Sequence, residues 1–300
     1  MPRLNNLPYG LGFAALMLAL GGVSQAHACS LSIQPTQDAW IIQYDPFSGD
    51  APQRQFDVAV TNLGETACSG IVRVDLSGEP FGLSQSAAAD RIAYALVEER
   101  SGTDVTPRSG QNARRVGARP LNLAPSERAL LRFTFAPSAE DLVSSGLYSQ
   151  DARIALEDAQ GLTIAERPVT LGVQVLSAAL IGLKGEFSRS NGVARIDLGE
   201  LAAGAKFLDA TLYVLSTGGY QISVQSENAG RLRLGATDWY VNYQLVVGRQ
   251  DINLSSGAGF SVTSRRPRAD DYPLGVKIGS VTGKRAGDYS DLLTFTVAPI

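Results

Sequence analysis

Apolar and polar residues alternate position by position over much of this chain. Phe56-Asp57-Val58-Ala59-Val60, Ile71-Val72-Arg73-Val74-Asp75-Leu76 and Leu130-Leu131-Arg132-Phe133-Thr134-Phe135 show the pattern, and residues 208–214, 220–225, 239–247 and 292–297 repeat it in the second half. A period of two puts every second side chain on one face of an extended backbone, so each run predicts a half-buried strand, and the turn residues that bound the runs predict the connections. Many short strands with one apolar face predict antiparallel sheets packed face to face. Helical periodicity is scarce; only Ser138-Ala139-Glu140-Asp141, a cap followed by acidic residues, predicts a turn or two of helix. The expectation is an all-β fold of two tandem immunoglobulin-like β-sandwiches.

Three anchors make the two halves read as copies of one unit. Ile92-Ala93-Tyr94-Ala95-Leu96-Val97 matches Val241-Asn242-Tyr243-Gln244-Leu245-Val246, Ser145-Gly146-Leu147-Tyr148-Ser149-Gln150 matches Ala286-Gly287-Asp288-Tyr289-Ser290-Asp291, and Phe56-Asp57 matches Leu208-Asp209. They occur in the same order at similar spacings, which argues for duplication. The boundary falls near Ser177-Ala178-Ala179, giving domains at 29–176 and 178–300. Gly146 with Tyr148, and Gly287 with Tyr289, predict structural corners: the glycine permits a tight bend, and the tyrosine sends its ring into the core while its hydroxyl caps nearby backbone.

Beyond the last anchor the copies differ. The first continues through residues 152–156, turns at Asp158-Ala159-Gln160-Gly161 and adds Val169-Thr170-Leu171-Gly172-Val173-Gln174-Val175, whereas the second runs through residues 292–297 and reaches Ile300. The C-terminal sandwich is therefore expected to lack its final strand. Such a sandwich exposes a hydrophobic groove, here assigned to Leu292, Leu293, Phe295 and Val297, together with unpaired backbone groups. A strand donated by another polypeptide would fill it; a smaller sandwich with a charge-blunted edge is the alternative.

Residues 1–28 predict a secretory signal, with Arg3 ahead of the apolar residues 11–23 and Ala26-His27-Ala28 as the cleavage site. The expected product starts at Cys29, is exported, and leaves no room for an N-terminal extension. Lipidation of Cys29 is the competing reading, weakened by Ala26 where a lipoprotein signal usually has Leu. Met1, Met17 and His27 are the only Met and His residues, so the exported chain has no His triad, His metal site or His general base. No metal, cofactor or catalytic residue is expected. Cys29 and Cys68 allow a single disulfide, stabilising by about 3 to 4 kcal/mol, with a free thiol at Cys68 as the alternative. A net charge of -3 and a pI near 5.3 argue against nucleic acid.

The chain resembles the spore coat protein U domain family of Csu-type, or archaic, chaperone-usher pilins. The resemblance rests on Cys29 after the signal, Tyr44-Asp45-Pro46-Phe47-Ser48, Cys68, the strands around Tyr94 and Tyr243, and above all Arg285-Ala286-Gly287-Asp288-Tyr289-Ser290-Asp291. It implies a pilus tip adhesin that mediates attachment and biofilm formation: an N-terminal tip domain followed by a pilin domain that accepts a strand from the neighbouring pilin subunit. The implied partners are a periplasmic chaperone, an outer-membrane usher and an abiotic or host surface, with localisation through the periplasm to the pilus tip at the cell surface. The C-terminal half has no cysteine, so packing and the inserted strand must hold its sheets. Apolar loops are expected to meet the surface, with Phe47, Phe81 and Leu83 as candidates beside the Arg-rich residues 101–119. A structural minor pilin or coat component is the nearest alternative function. A secreted carboxylate-based glycoside hydrolase is a further one, although no Asp or Glu pair stands out.

Overall fold

The alternating runs become strands, and the packing of those strands shows where the two halves differ. The computed structural model describes residues 29–77, 80–86, 91–108, 118–138 and 143–300. The expected signal at 1–28, the helical turn at 139–142 and residues 109–117 of the Arg-rich stretch lie outside the described residues. Every regular element among the described residues is a strand, and no helix among them is long and apolar enough to cross a membrane.

The N-terminal sandwich comprises β1 (Leu31–Pro35), β2 (Ala39–Tyr44), β3 (Arg54–Asn62), β4 (Cys68–Leu76), β5 (Tyr94–Glu98), β6 (Thr103–Asp104), β7 (Leu121–Leu123), β8 (Arg128–Pro137), β9 (Gly146–Glu157) and β10 (Thr163–Val175). One sheet runs β1-β3-β8-β5-β6 and the other β2-β10-β9-β4-β7. The last strand is paired on both margins: Leu171 of β10 faces Gln150 of antiparallel β9 and Trp40 of parallel β2. Between the sheets, fully buried Trp40 stacks on Phe56 at 5.1 Å and leans on Phe133 at 5.4 Å. Cys29 and Cys68 form a disulfide with Cα atoms 5.3 Å apart, tying the start of β1 in one sheet to β4 in the other.

The C-terminal sandwich comprises β11 (Ala179–Gly185), β12 (Ser188–Ser190), β13 (Val193–Arg195), β14 (Gly204–Ser216), β15 (Tyr220–Ser226), β16 (Arg231–Leu234), β17 (Tyr240–Val247), β18 (Gln250–Ile252), β19 (Ala258–Val262), β20 (Arg268–Ile278), β21 (Tyr289–Ser290) and β22 (Leu293–Pro299). One sheet runs β11-β14-β20-β17-β16-β21 with β18 beside β17, the opposing sheet has the order β19-β15-β22, and β12 and β13 form a separate exposed hairpin. Ala210, Leu212, Val214, Ile222, Val224 and Leu245 belong to its core. A three-residue connection joins β14 to β15 and grips the first sandwich: the Ser145 N–H donates to Thr217 O (3.1 Å), and the Thr217 hydroxyl donates to Leu176 O (3.2 Å).

Paired features of the two halves recur in three dimensions. The Tyr148 hydroxyl donates to Ser144 O and the Tyr289 hydroxyl to Arg285 O, each four residues back. Gly146 (φ 132°) and Gly287 (φ 148°) precede them in conformations that L side chains rarely adopt. Two residues after each corner tyrosine a polar side chain accepts from the tyrosine of the other anchor: Tyr94 donates to Gln150 (3.0 Å) and Tyr243 to Asp291 (2.6 Å).

Candidate functional site

The site follows from which backbone groups in the C-terminal sandwich have partners. Along β22 the Ile300 N–H donates to Gly219 O, and Leu292 O accepts from the Glu227 N–H. With the register Val224↔Phe295, antiparallel geometry directs the even-numbered residues at β15 and turns the N–H and C=O groups of Leu293, Phe295 and Val297 away from it. Along β11, Thr217 N–H to Ala178 O and Glu186 N–H to Asp209 O fix the even positions on β14, so the backbone groups of Ala179, Ile181 and Leu183 also point outward. Among the described residues no strand pairs with either row.

The side chains match the backbone. Ala179, Ile181, Leu183, Leu293, Phe295 and Val297 touch the core yet are only partly buried. In the N-terminal sandwich the corresponding margin is occupied by β10, whose Val169, Leu171, Val173 and Val175 are buried, as are Ile154 and Leu156 of β9. Completing the burial of six half-covered side chains would stabilise by roughly 5 kcal/mol. The margin also closes on itself in part. In the first sandwich β1 lies against β10, whereas in the second β11 lies against β22, with Cα atoms within 8 Å. Two strands flanking an inserted third stand about 9.6 Å apart, so a guest strand must spread them. Leu292 does not belong to this groove: it is 45% exposed and precedes β22 in the polar row of Thr294 and Thr296, not in the apolar row.

Polar ties hold this sandwich together without a disulfide. The Tyr220 hydroxyl of β15 donates to Asp270 of β20 at 2.6 Å and also meets the Tyr272 hydroxyl, so the contact crosses between the sheets. Arg268 grips Asp270 with two hydrogen bonds of 2.6 Å and holds its carboxyl below the usual carboxylate range. Burial, with Asp270 beside it, pushes the Tyr220 hydroxyl far up. Asp291 accepts from Tyr243, Ser226, the Asn228 N–H (3.0 Å) and the Leu292 N–H (2.9 Å), which pins the entry to β22. These donors account for its oxygens, and the arrangement serves as an anchor. Burial and Asp291 push the Tyr243 hydroxyl up as well.

The candidate surface-binding residues are placed unevenly. Leu83 is fully buried, because a bridge to Ile92 folds its loop inward, which removes it from the candidates. Phe81 lies half-buried, 4.8 Å from the Tyr94 ring, in a loop braced by Arg91 and Gln150 on Pro80 O. Phe47 is half-buried in a turn organised by Asp45. Both phenylalanines lie at the end where β10 leaves toward β11, as Leu176 N–H to Tyr44 O and Gln85 to Ser145 O show. The opposite end carries the β3–β4 and β9–β10 turns, tipped by Leu63 (66% exposed) and Leu162 (68%). Strand parity was the available signal: the β9–β10 turn is one strand back from the linker, hence at the far end.

No protein-family model and no curated protein matches the chain. Among solved structures, a chaperone and tip adhesion subunit pre-assembly complex from archaic chaperone-usher Csu pili of Acinetobacter baumannii is similar at 12% identity and a TM-score of 0.48, covering 89% of this chain and 99% of that one. The CupB6 tip adhesin from Pseudomonas aeruginosa aligns at 12% identity and 0.36, covering 90% and 95%. CfaE, the adhesive subunit of CFA/I fimbria of enterotoxigenic Escherichia coli, aligns at 12% and 0.35, covering 87% and 92%. All three fall below a TM-score of 0.5, so the functional reading stands on this chain's own geometry.

Proposed function

We propose that this chain is the tip subunit of a chaperone-usher pilus, exported through the periplasm to the cell surface, where it mediates attachment and biofilm formation. The observation that carries the reading is the pair of unpaired margins on β11 and β22, set against a first sandwich whose own β10 fills the matching place. An open margin over half-buried apolar side chains is a site for strand addition, with main-chain hydrogen bonds giving affinity and alternate side chains giving specificity. A periplasmic chaperone covers it before assembly, the outer-membrane usher handles the exchange, and the neighbouring pilin subunit supplies the permanent strand. The N-terminal sandwich, complete in itself, presents the Leu63 and Leu162 turns to an abiotic or host surface.

The test uses a strand of known fit. A copy of residues 163–175 joined after Ile300 through a short flexible turn should fill the margin from within. The unfolding temperature of the C-terminal sandwich should rise by about 10 °C, and the extended chain should no longer bind its chaperone. An unchanged melting curve with undiminished chaperone binding would contradict the proposal.

A further inference from the structure

Positive charge in this molecule is unevenly divided between the two halves. Residues 29–177 carry 12 Arg and no Lys against 18 Asp and Glu, whereas residues 178–300 carry 13 Lys and Arg against 11 Asp and Glu. Several cations of the second half have partners: Lys184 pairs with Asp271, Arg268 with Asp270 and Lys277 with Asp251. The other ten have no carboxylate within 4.0 Å among the described residues, Arg231, Arg233 and Lys284 among them.

These three meet at one exposed aromatic residue, Tyr240. Arg233 of β16 stands directly across from Tyr240 of β17. The Arg231 guanidinium lies 4.9 Å from the Tyr240 ring centroid, and the Lys284 ammonium lies 4.9 Å from the same centroid. Tyr240 is 36% exposed and the adjacent Trp239 42%. Cation–π contact holds both charges against an ordered ring. Trp, Tyr and Arg are also the residue types that dominate protein–protein binding energy.

The position of the patch identifies its occupant. β17 runs from Tyr240 toward Val247, and β22 runs from Leu293 toward Pro299, which pairs with Tyr220. The turn holding Tyr220 meets the first sandwich through Thr217 and Ser145. Trp239, Tyr240 and Lys284 therefore lie at the opposite end, where β22 begins. A strand lying along β22 has the first sandwich at one of its ends, so the folded body to which it belongs sits at the other, beside the patch.

Resting on the strand-acceptor reading, we propose that the end of the C-terminal sandwich formed by Arg231, Arg233, Trp239, Tyr240 and Lys284 is a docking seat for the body of the neighbouring subunit, which presents an acidic surface to it. Carboxylates there would meet uncompensated cations, speeding encounter and fixing orientation.

The test uses the full-length chain in its native host, with p-benzoylphenylalanine as photo-crosslinker at Tyr240 and, in a second strain, at the exposed Thr296 of β22. Both positions should capture the same fibre polypeptide, and the peptide captured at position 240 should contain Asp or Glu. The double change Arg231→Glu, Lys284→Glu should lower capture at position 240 at least tenfold while capture at position 296 persists. Capture at 296 with none at 240, capture of a second copy of this chain at 240, or a captured segment without carboxylates would overturn the docking seat and leave the groove intact. Absence of capture at both positions would remove the strand-acceptor reading and this inference with it.

Discussion

Two carboxylates do in the C-terminal sandwich what Cys29 and Cys68 do in the N-terminal one. Asp270 joins Tyr220 of one sheet to Arg268 of the other, Tyr220 also meets Tyr272 across the same gap, and Asp291 gathers Tyr243, Ser226 and the entry to β22. A covalent bridge is indifferent to pH in this range, whereas a carboxylate tie is not. Arg268 depresses the Asp270 pKa in the folded state, so the stability it contributes is fully present above the unfolded value of about 3.9 and is lost as the pH falls through the folded value. Asp270→Asn should lower stability near neutrality by about 1 to 2 kcal/mol and flatten the decline below about pH 4. Thermal melts of the two proteins across that range check this; curves that stay parallel would refute it.

Among the elements, legibility tracked the sequence distance over which each feature is decided. The Gly-x-Tyr corners were visible because bend and hydroxyl cap are settled within a few residues, from Ser144 to Tyr148 and from Arg285 to Tyr289. The strands were visible because alternation fixes which face is apolar. Leu292 falls outside the groove by that same alternation, which puts it in the row of Thr294 and Thr296. Leu83 is different: Pro80 and Gly82 mark a loop, and only pairing with Ile92 and packing beneath it bury the leucine. The Tyr220–Asp270 tie joins residues of two sheets that no local pattern relates. The distal position of Leu162 follows from strand parity back from the linker, whereas that of Leu63 depends on strand order, which emerges only when the sheets are assembled.

The whole molecule is asymmetric in completeness and in charge. The first sandwich closes its margin with β10, carries a disulfide and is acidic; the second leaves the outer margins of β11 and β22 unpaired among the described residues and sets Arg231 and Lys284 against Tyr240 at its far end. The proposed function puts the contact surface at the end opposite the linker. Leu63→Ser combined with Leu162→Ser should reduce surface attachment several-fold without changing the amount of assembled fibre, as adhesion counts against fibre yield would show; unchanged attachment would move the contact surface elsewhere. The open margin itself is read most directly by residue-resolved hydrogen exchange along β22. In the isolated chain the amides of Leu293, Phe295 and Val297 should exchange fast and those of Thr294, Thr296 and Ala298 slowly, and a peptide of residues 163–175 should protect the fast set. Uniform protection of all six amides in the isolated chain would mean that the sandwich already pairs both sides of β22, and the account would fall.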